Sequence, residues 1–169
     1  MGRARDFDED AALDAAVDAF WRLGWSGCST RVLAHTMGLS TSSLYAAFGS
    51  KSALFERALE RYGRRSGLGT PSPEAARSYV RAVVAPREPR GCLLVVSAAD
   101  ADGLPPEAKR VVLGGLSALE RWLVRALGDE TRGRTLLDVV LGLQVRHRIG
   151  EPPERLRTDA ERWIAALIP

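Results

Sequence analysis

The sequence predicts an all-α protein, with an N-terminal three-helix helix-turn-helix head and a C-terminal helical body. Three observations carry this. Apolar residues recur at three- and four-residue spacing along the chain, and no run alternates apolar and polar residues as a strand would. Between Ser29 and Arg65, three short helical segments each open on a serine, with a sharp turn at Gly38 between the first two. A stretch rich in turn formers, Gly67 to Pro73, then separates a head of residues 1–66 from a body of residues 67–169.

The first helix is predicted from Asp8 to Leu23, with Leu13, Val17, Phe20 and neighbouring alanines on its inner face. Asp8, Glu9 and Asp10 crowd its first turn, where the helix dipole favours negative charge. Gly24 stops it, and Trp25 is the hydrophobic residue expected after a glycine cap. Ser29 caps Thr30 to Met37, Ser40 caps Thr41 to Phe48, and Ser50 caps a helix from Lys51 to about Arg65. Val32 stands where an acid would complete a capping box, so the first of these starts is expected to be the weaker.

In the body, Ser72 or Pro73 opens a helix to about Val84, which Pro86 and Pro89 interrupt. Gly91 to Ala101 is apolar nearly all round, as a buried helix would be. A longer helix runs from Pro105 or Pro106 to Leu127, with Leu116, Leu119, Trp122, Leu123 and Leu127 as its stripe. Gly128 closes it, Asp129 caps the next helix to Ile149, and the last begins at Pro152–Pro153 and carries Leu156, Ala160, Trp163, Ile164 and Leu167.

Composition narrows the function classes. With 46% hydrophobic and 27% charged residues, the chain is globular rather than disordered. Its opening is polar and acidic, unlike a secretory signal, and its longest uncharged apolar stretch, Gly91 to Ala99, is too short to cross a bilayer. Cys28 and Cys92 lie far apart with no CxxC or Cys/His cluster, which suits a reducing cytoplasm and offers no metal site. His35 and His147 have no partner motif and phosphate-loop spacing is missing, so neither an enzyme nor a cofactor is expected.

Charge distribution is more informative than the net charge of +3. From Phe20 to Phe55 there is no Asp or Glu, although the chain's 21 acidic residues in 169, spread evenly, would place four or five there. The same stretch carries Arg22, Arg31 and Lys51. A surface without carboxylates is what a phosphate backbone requires. Within it, Leu39, Leu44 and Phe48 pin the second short helix to the head and leave Thr41, Ser42, Ser43, Tyr45 and Ala46 as its free face. Such a small, polar, uncharged face can enter a major groove. Small residues make weak direct readers, so water and DNA shape would share the specificity.

The stretch resembles the DNA-binding head of the tetracycline-repressor (TetR) family of bacterial regulators. The matching residues are Gly24-Trp25, Ser29-Thr30, Leu33-Ala34, Gly38-Leu39-Ser40, Leu44-Tyr45, Phe48 and Ser50-Lys51 with Leu54-Phe55. The resemblance covers the first 60 or so residues; in the body it is confined to the helical plan and the segment Arg90 to Leu94. It implies that Thr30 holds a phosphate and that Arg31 reaches a base edge or the backbone. It also implies that Ser40, Thr41, Ser42 and Ser43 face the groove, and that Tyr45 and Lys51 each meet a phosphate. Read from the residues alone, Ser29, Ser40 and Ser50 are caps, and a solvated surface arginine is the lesser alternative for Arg31. Ala46 and Ala47 stand where the family carries larger side chains, which argues against strong base contacts there. Arg3 and Arg5 could form a basic arm on DNA, with a solvated tail the simpler expectation.

Leu136, Leu137, Val139, Val140, Leu141, Leu143 and Val145 cover almost every side of one helix, so a partner is expected to bury part of it. The resemblance suggests a homodimer through the last two helices and hence a palindromic operator on double-stranded DNA. It also implies a body that senses a small molecule; Tyr79, Cys92, Trp122, Gln144 and His147, the polar or aromatic residues on otherwise apolar helices, are the candidate ligand residues, with packing or interface the simpler reading of each. The expectation is a sequence-specific repressor released by a small-molecule effector; the alternative is an architectural DNA-binding protein with neither effector nor specific operator.

Overall fold

The computed structural model describes residues 7–65, 68–85 and 91–169, and the architecture there is helical, with no strand among the described residues. Among the described residues nine α-helices follow in order: α1 Glu9–Gly27, α2 Thr30–Thr36, α3 Thr41–Phe48, α4 Lys51–Arg65, α5 Pro73–Val83, α6 Leu93–Ala99, α7 Pro106–Leu127, α8 Glu130–Arg148 and α9 Pro153–Leu167. A single 3-10 turn, Ala101–Gly103, joins α6 to α7. The expected positions for Arg3, Arg5, Pro86, Pro89 and Arg90 lie outside the described residues.

Ser29, Ser40, Ser50 and Asp129 cap the helices expected of them, while Asp8, expected inside the first turn, and Ser72 also serve as N-caps. Asp8 accepts from Asp10 N and Ala11 N, Ser40 from Ser43 N, Ser50 from Ala53 N, Ser72 from Ala75 N and Asp129 from Arg132 N. Ser29 Oγ also takes the Val32 amide, at 3.2 Å, so α2 is capped without the reciprocal acid. The expected end of the first helix at Leu23 needs one correction. Gly24 does break the helix, with φ 69° and ψ −178°, but Trp25 to Gly27 form a further turn beyond the kink. Only glycine takes that backbone without strain.

Two apolar cores result. The first gathers Leu13, Val17 and Phe20 of α1, Leu33, Leu44, Phe48, Leu54 and Phe55, and extends to Leu93 of α6 and Leu104, Ala108 and Val112 around the start of α7. Phe20, Trp25 and Phe55 stack or meet edge to face at centroid distances of 4.9 to 6.2 Å. The second core joins α5, α7, α8 and α9 through Val80, Leu119, Leu123, Leu136, Val140, Leu143, Leu156 and Ile164. α7 and α8 come close enough that Gly133 faces Val124 backbone atoms. This second core revises the reading of α8. Leu136, Leu137, Val140 and Leu143 are buried within the chain and Val139 and Leu141 half-buried, leaving Val145 exposed, so most of the helix needs no partner.

Candidate nucleic-acid interface

α3 is held by its apolar side. Leu44 is fully buried and Phe48 nearly so, while Thr41, Ser42, Ser43, Tyr45 and Ala46 face outward. Leu39 N donates to Ala34 O at 2.8 Å across the Gly38 turn, where Gly38 has φ 67°, and this sets α3 against α2. The outward face carries no charge. Tyr45 leaves 46% of its surface to solvent, which is large for an aromatic side chain and leaves its hydroxyl free to reach a ligand. The serine hydroxyls are partly engaged already: Ser40 Oγ lies 2.9 Å from Ser42 Oγ and 2.8 Å from Ser43 Oγ while it caps the helix. Each hydroxyl keeps a lone pair or a rotatable proton for an outside partner.

At the start of α2, Thr30 is half-buried and Arg31 exposed, with no ion pair for Arg31 among the described residues. Lys51 is half-buried and one of its donors is already engaged. Its Nζ donates to Trp25 O at 2.7 Å and sits 4.0 Å from the centre of the Trp25 ring. Burial lowers its pKa, while the Cys28 and Asp100 side chains act in the opposite sense. Burial in turn pushes the Cys28 thiol up to about 11, so this cysteine is an inert part of the core.

Sequence reasoning missed one group here. The Asp100 carboxylate takes Ser26 N at 2.6 Å and Ser26 Oγ at 2.9 Å. No local pattern could have signalled it, because the partners lie 74 positions apart.

Of the five expected ligand residues, Trp122 belongs to the second core and Tyr79 packs against it, while Cys92 is buried and Gln144 and His147 are buried on α8. Trp122 is tied by its Nε1 to Gly69 O at 2.8 Å and meets the Tyr79 ring edge to face. His147 Nδ1 lies 3.0 Å from Val83 O. Tyr79 is pushed to a raised pKa by burial, then by the Cys92 side chain, with a hydrogen bond from the Gln144 amide acting against them. Tyr62, which the sequence did not single out, joins them by hydrogen bonding with Cys92, and burial raises its pKa as well. Gln144 Oε1 is buried without a hydrogen-bond partner.

Comparison with known proteins agrees with this geometry. Residues 12–58 match the family model described as bacterial regulatory proteins, tetR family. The transcriptional repressor ComR of Escherichia coli is 43% identical over 61 residues, 36% of this chain but 29% of its own length. An uncharacterized regulator of Bacillus subtilis, YezE, is 30% identical over 122 residues, 65% of this chain and 63% of its own. These matches thus span less than two thirds of the curated relatives. Among solved structures, a cysteine mutant of the TetR family transcriptional regulator CifR, complexed with 26-bp double-strand operator DNA, is 34% identical with a TM-score of 0.80. That similarity covers 98% of this chain and 100% of the other. The reduced form of NemR from E. coli shares the fold, at TM-score 0.80 and 20% identity over 95% of this chain and 96% of its own. The family match across α2 and α3 and a similarity to CifR at 34% identity over 98% of the chain converge: this chain belongs to the TetR family of transcriptional regulators.

Proposed function

We propose that the chain is a cytoplasmic homodimer that reads a palindromic operator through α3, represses transcription, and leaves the DNA when a small molecule occupies the body. The observation that carries the reading is the outward face of α3, small and uncharged on a helix fixed by Leu44 and Phe48. The likeness to CifR, itself complexed with operator DNA, supports double-stranded DNA as the partner. In this reading Ser40, Thr41, Ser42 and Ser43 face the groove, Arg31 reaches a base edge or the backbone, and Thr30 holds a phosphate. Tyr45 gives its hydroxyl to a phosphate and Lys51 neutralises another.

Homodimerisation is supported by an unburied line on α8. Val145 and Ile149 are 47% and 77% exposed, Gly142 has open space where a Cβ would be, and Trp163 of α9 is 39% exposed. An effector site is supported by the unpaired Gln144 Oε1 beside Tyr79 and Cys92, a buried acceptor in want of a donor.

The test is selection of bound duplexes from a random pool by the full chain near physiological salt. Recovery of one palindrome with half-sites about one helical turn apart is expected. Recovery of unrelated sequences with a steep salt dependence would instead favour an architectural role, and would overturn the operator reading.

A further inference from the structure

α6 is tied to α1 at both of its ends. At the first, Trp21 Nε1 donates to Gly91 O at 3.1 Å. At the second, the Asp100 carboxylate takes both the amide and the hydroxyl of Ser26. The local chain explains why a carboxylate is wanted there. Gly24 interrupts α1, so the turn from Trp25 to Gly27 begins anew and its first amides have no partner in their own helix. Asp100 therefore acts as an N-cap supplied from 74 residues away. Two glycines make room for it. A Cβ at Gly24 would lie 3.3 Å from Asp100 Oδ2, and one at Gly103 would overlap Ser26 Oγ.

The same turn leads on to the recognition elements. Trp25, next to Ser26, carries Lys51 on its carbonyl and ring, and Lys51 opens α4 three positions after α3 ends. On its other side, α6 and the residues leading into it abut α8: a Cβ at Gly91, just before α6, would lie 3.3 Å from Gln144 O and 3.6 Å from Arg148 Cβ. A chain of close contacts thus runs from α8 through α6 and Asp100 to the end of α1 and the start of α4.

We propose that Asp100 is a positioning residue for operator recognition, its carboxylate clamping the last turn of α1 so that α3 is presented at a fixed angle to the body. This rests on the operator reading above. Asp100 touches no DNA in the proposal and acts through Ser26.

The test uses the full chain with Asp100→Ala, Asp100→Asn, Ser26→Ala and the double variant. Two readouts separate the clamp from the operator reading. Amide hydrogen exchange needs no DNA: Asp100→Ala should speed exchange at Ser26 while leaving Val17, in the middle of α1, unchanged. Loss of protection at both would signify global destabilisation, and no change at Ser26 would remove the clamp; either result overturns the proposal. Affinity is read by fluorescence anisotropy on the duplex recovered by selection, well below the melting temperature of each variant. Asp100→Ala should weaken binding about tenfold and Ser26→Ala about threefold, with the double variant no worse than Asp100→Ala. Asp100→Asn, which keeps one acceptor, should recover part of the loss. Affinity within about twofold of the parent for Asp100→Ala, or a Ser26→Ala loss that multiplies in full onto it, overturns the proposal. If Asp100→Ala does not fold, Ser26→Ala decides alone: unchanged affinity and unchanged exchange in the last turn of α1 reject it. A parent chain that selects no duplex fails the operator reading, and with it the positioning role, while the exchange result still reports on the clamp.

Discussion

Replacing Gly133 with Ala should destabilise the body, and replacing Gly114 with Ala should stabilise it, although the chemical change is identical. A Cβ on Gly133 would lie 2.6 Å from Val124 Cα, 2.6 Å from Val124 Cγ2 and 2.8 Å from Val124 N. Optimal carbon contacts are about 3.5 to 4 Å, so α7 and α8 must separate by roughly 1 Å there. Two of the three obstructing atoms are backbone, which no rotamer change can move aside. Overpacking of this kind costs about 1–3 kcal/mol, and a backbone obstacle places Gly133 at the upper end. Better helix propensity returns about 1 kcal/mol, for a net loss of about 2 kcal/mol. Gly114 has nothing within 4 Å of the same position, so only the propensity gain of about 1 kcal/mol applies. Thermal melts at one protein concentration should show Gly133→Ala lowered by about 4–8 °C and Gly114→Ala raised by about 2–4 °C. Urea titrations with unchanged slopes would confirm that stability moved rather than the unfolded state. If both variants shift the same way, or Gly133→Ala leaves Tm unchanged, the close α7–α8 approach is wrong.

Further outcomes follow from the head. Leu44 is fully buried under α3, so Leu44→Ala should cost about 3 kcal/mol of stability and weaken DNA binding; urea denaturation checks the first and anisotropy the second. Tyr45→Phe removes a proposed phosphate contact and should weaken binding alike for all sequences, whereas Thr41→Ala should change which duplexes a repeated selection recovers. The Arg61 guanidinium, hydrogen-bonded to Asp14, is the main reason that carboxyl's pKa is lowered. A lowered folded-state pKa adds stability that is present above the unfolded value and lost as pH falls through the folded one. The difference in Tm between the parent and Asp14→Asn should therefore be full at about pH 6 and close towards about pH 2; a difference that persists at low pH would reject this pair as its source.

Local rules carried the sequence a long way where the determinants are local. Ser29, Ser40, Ser50 and Asp129 each cap the helix they were expected to cap, because capping involves residues three positions apart. The outward face of α3 was legible for the same reason, since the spacing of Leu44 and Phe48 fixes which side is buried. What escaped depends on distant partners. α8 looked too apolar for one chain because its neighbours could not be counted, and the second core then covered Leu136, Leu137, Val140 and Leu143. The contact of Lys51 with the Trp25 carbonyl and ring, across 26 positions, had no local signal either. Asp100 and Tyr62 carried no motif at all; the first became visible only against Ser26 and the second against Cys92.

The most direct test of the account places a DNA-cleaving reagent on α3. Cys28 and Cys92 are buried, so Ser43→Cys offers the accessible thiol to which an iron chelate can be attached in the full chain. Bound to the selected duplex, the conjugate should cut at two symmetric positions, each centred on a major groove and separated by about one helical turn. Cutting spread evenly along the duplex, or none while the conjugate stays bound, would contradict the claim that a dimer reads DNA through this helix.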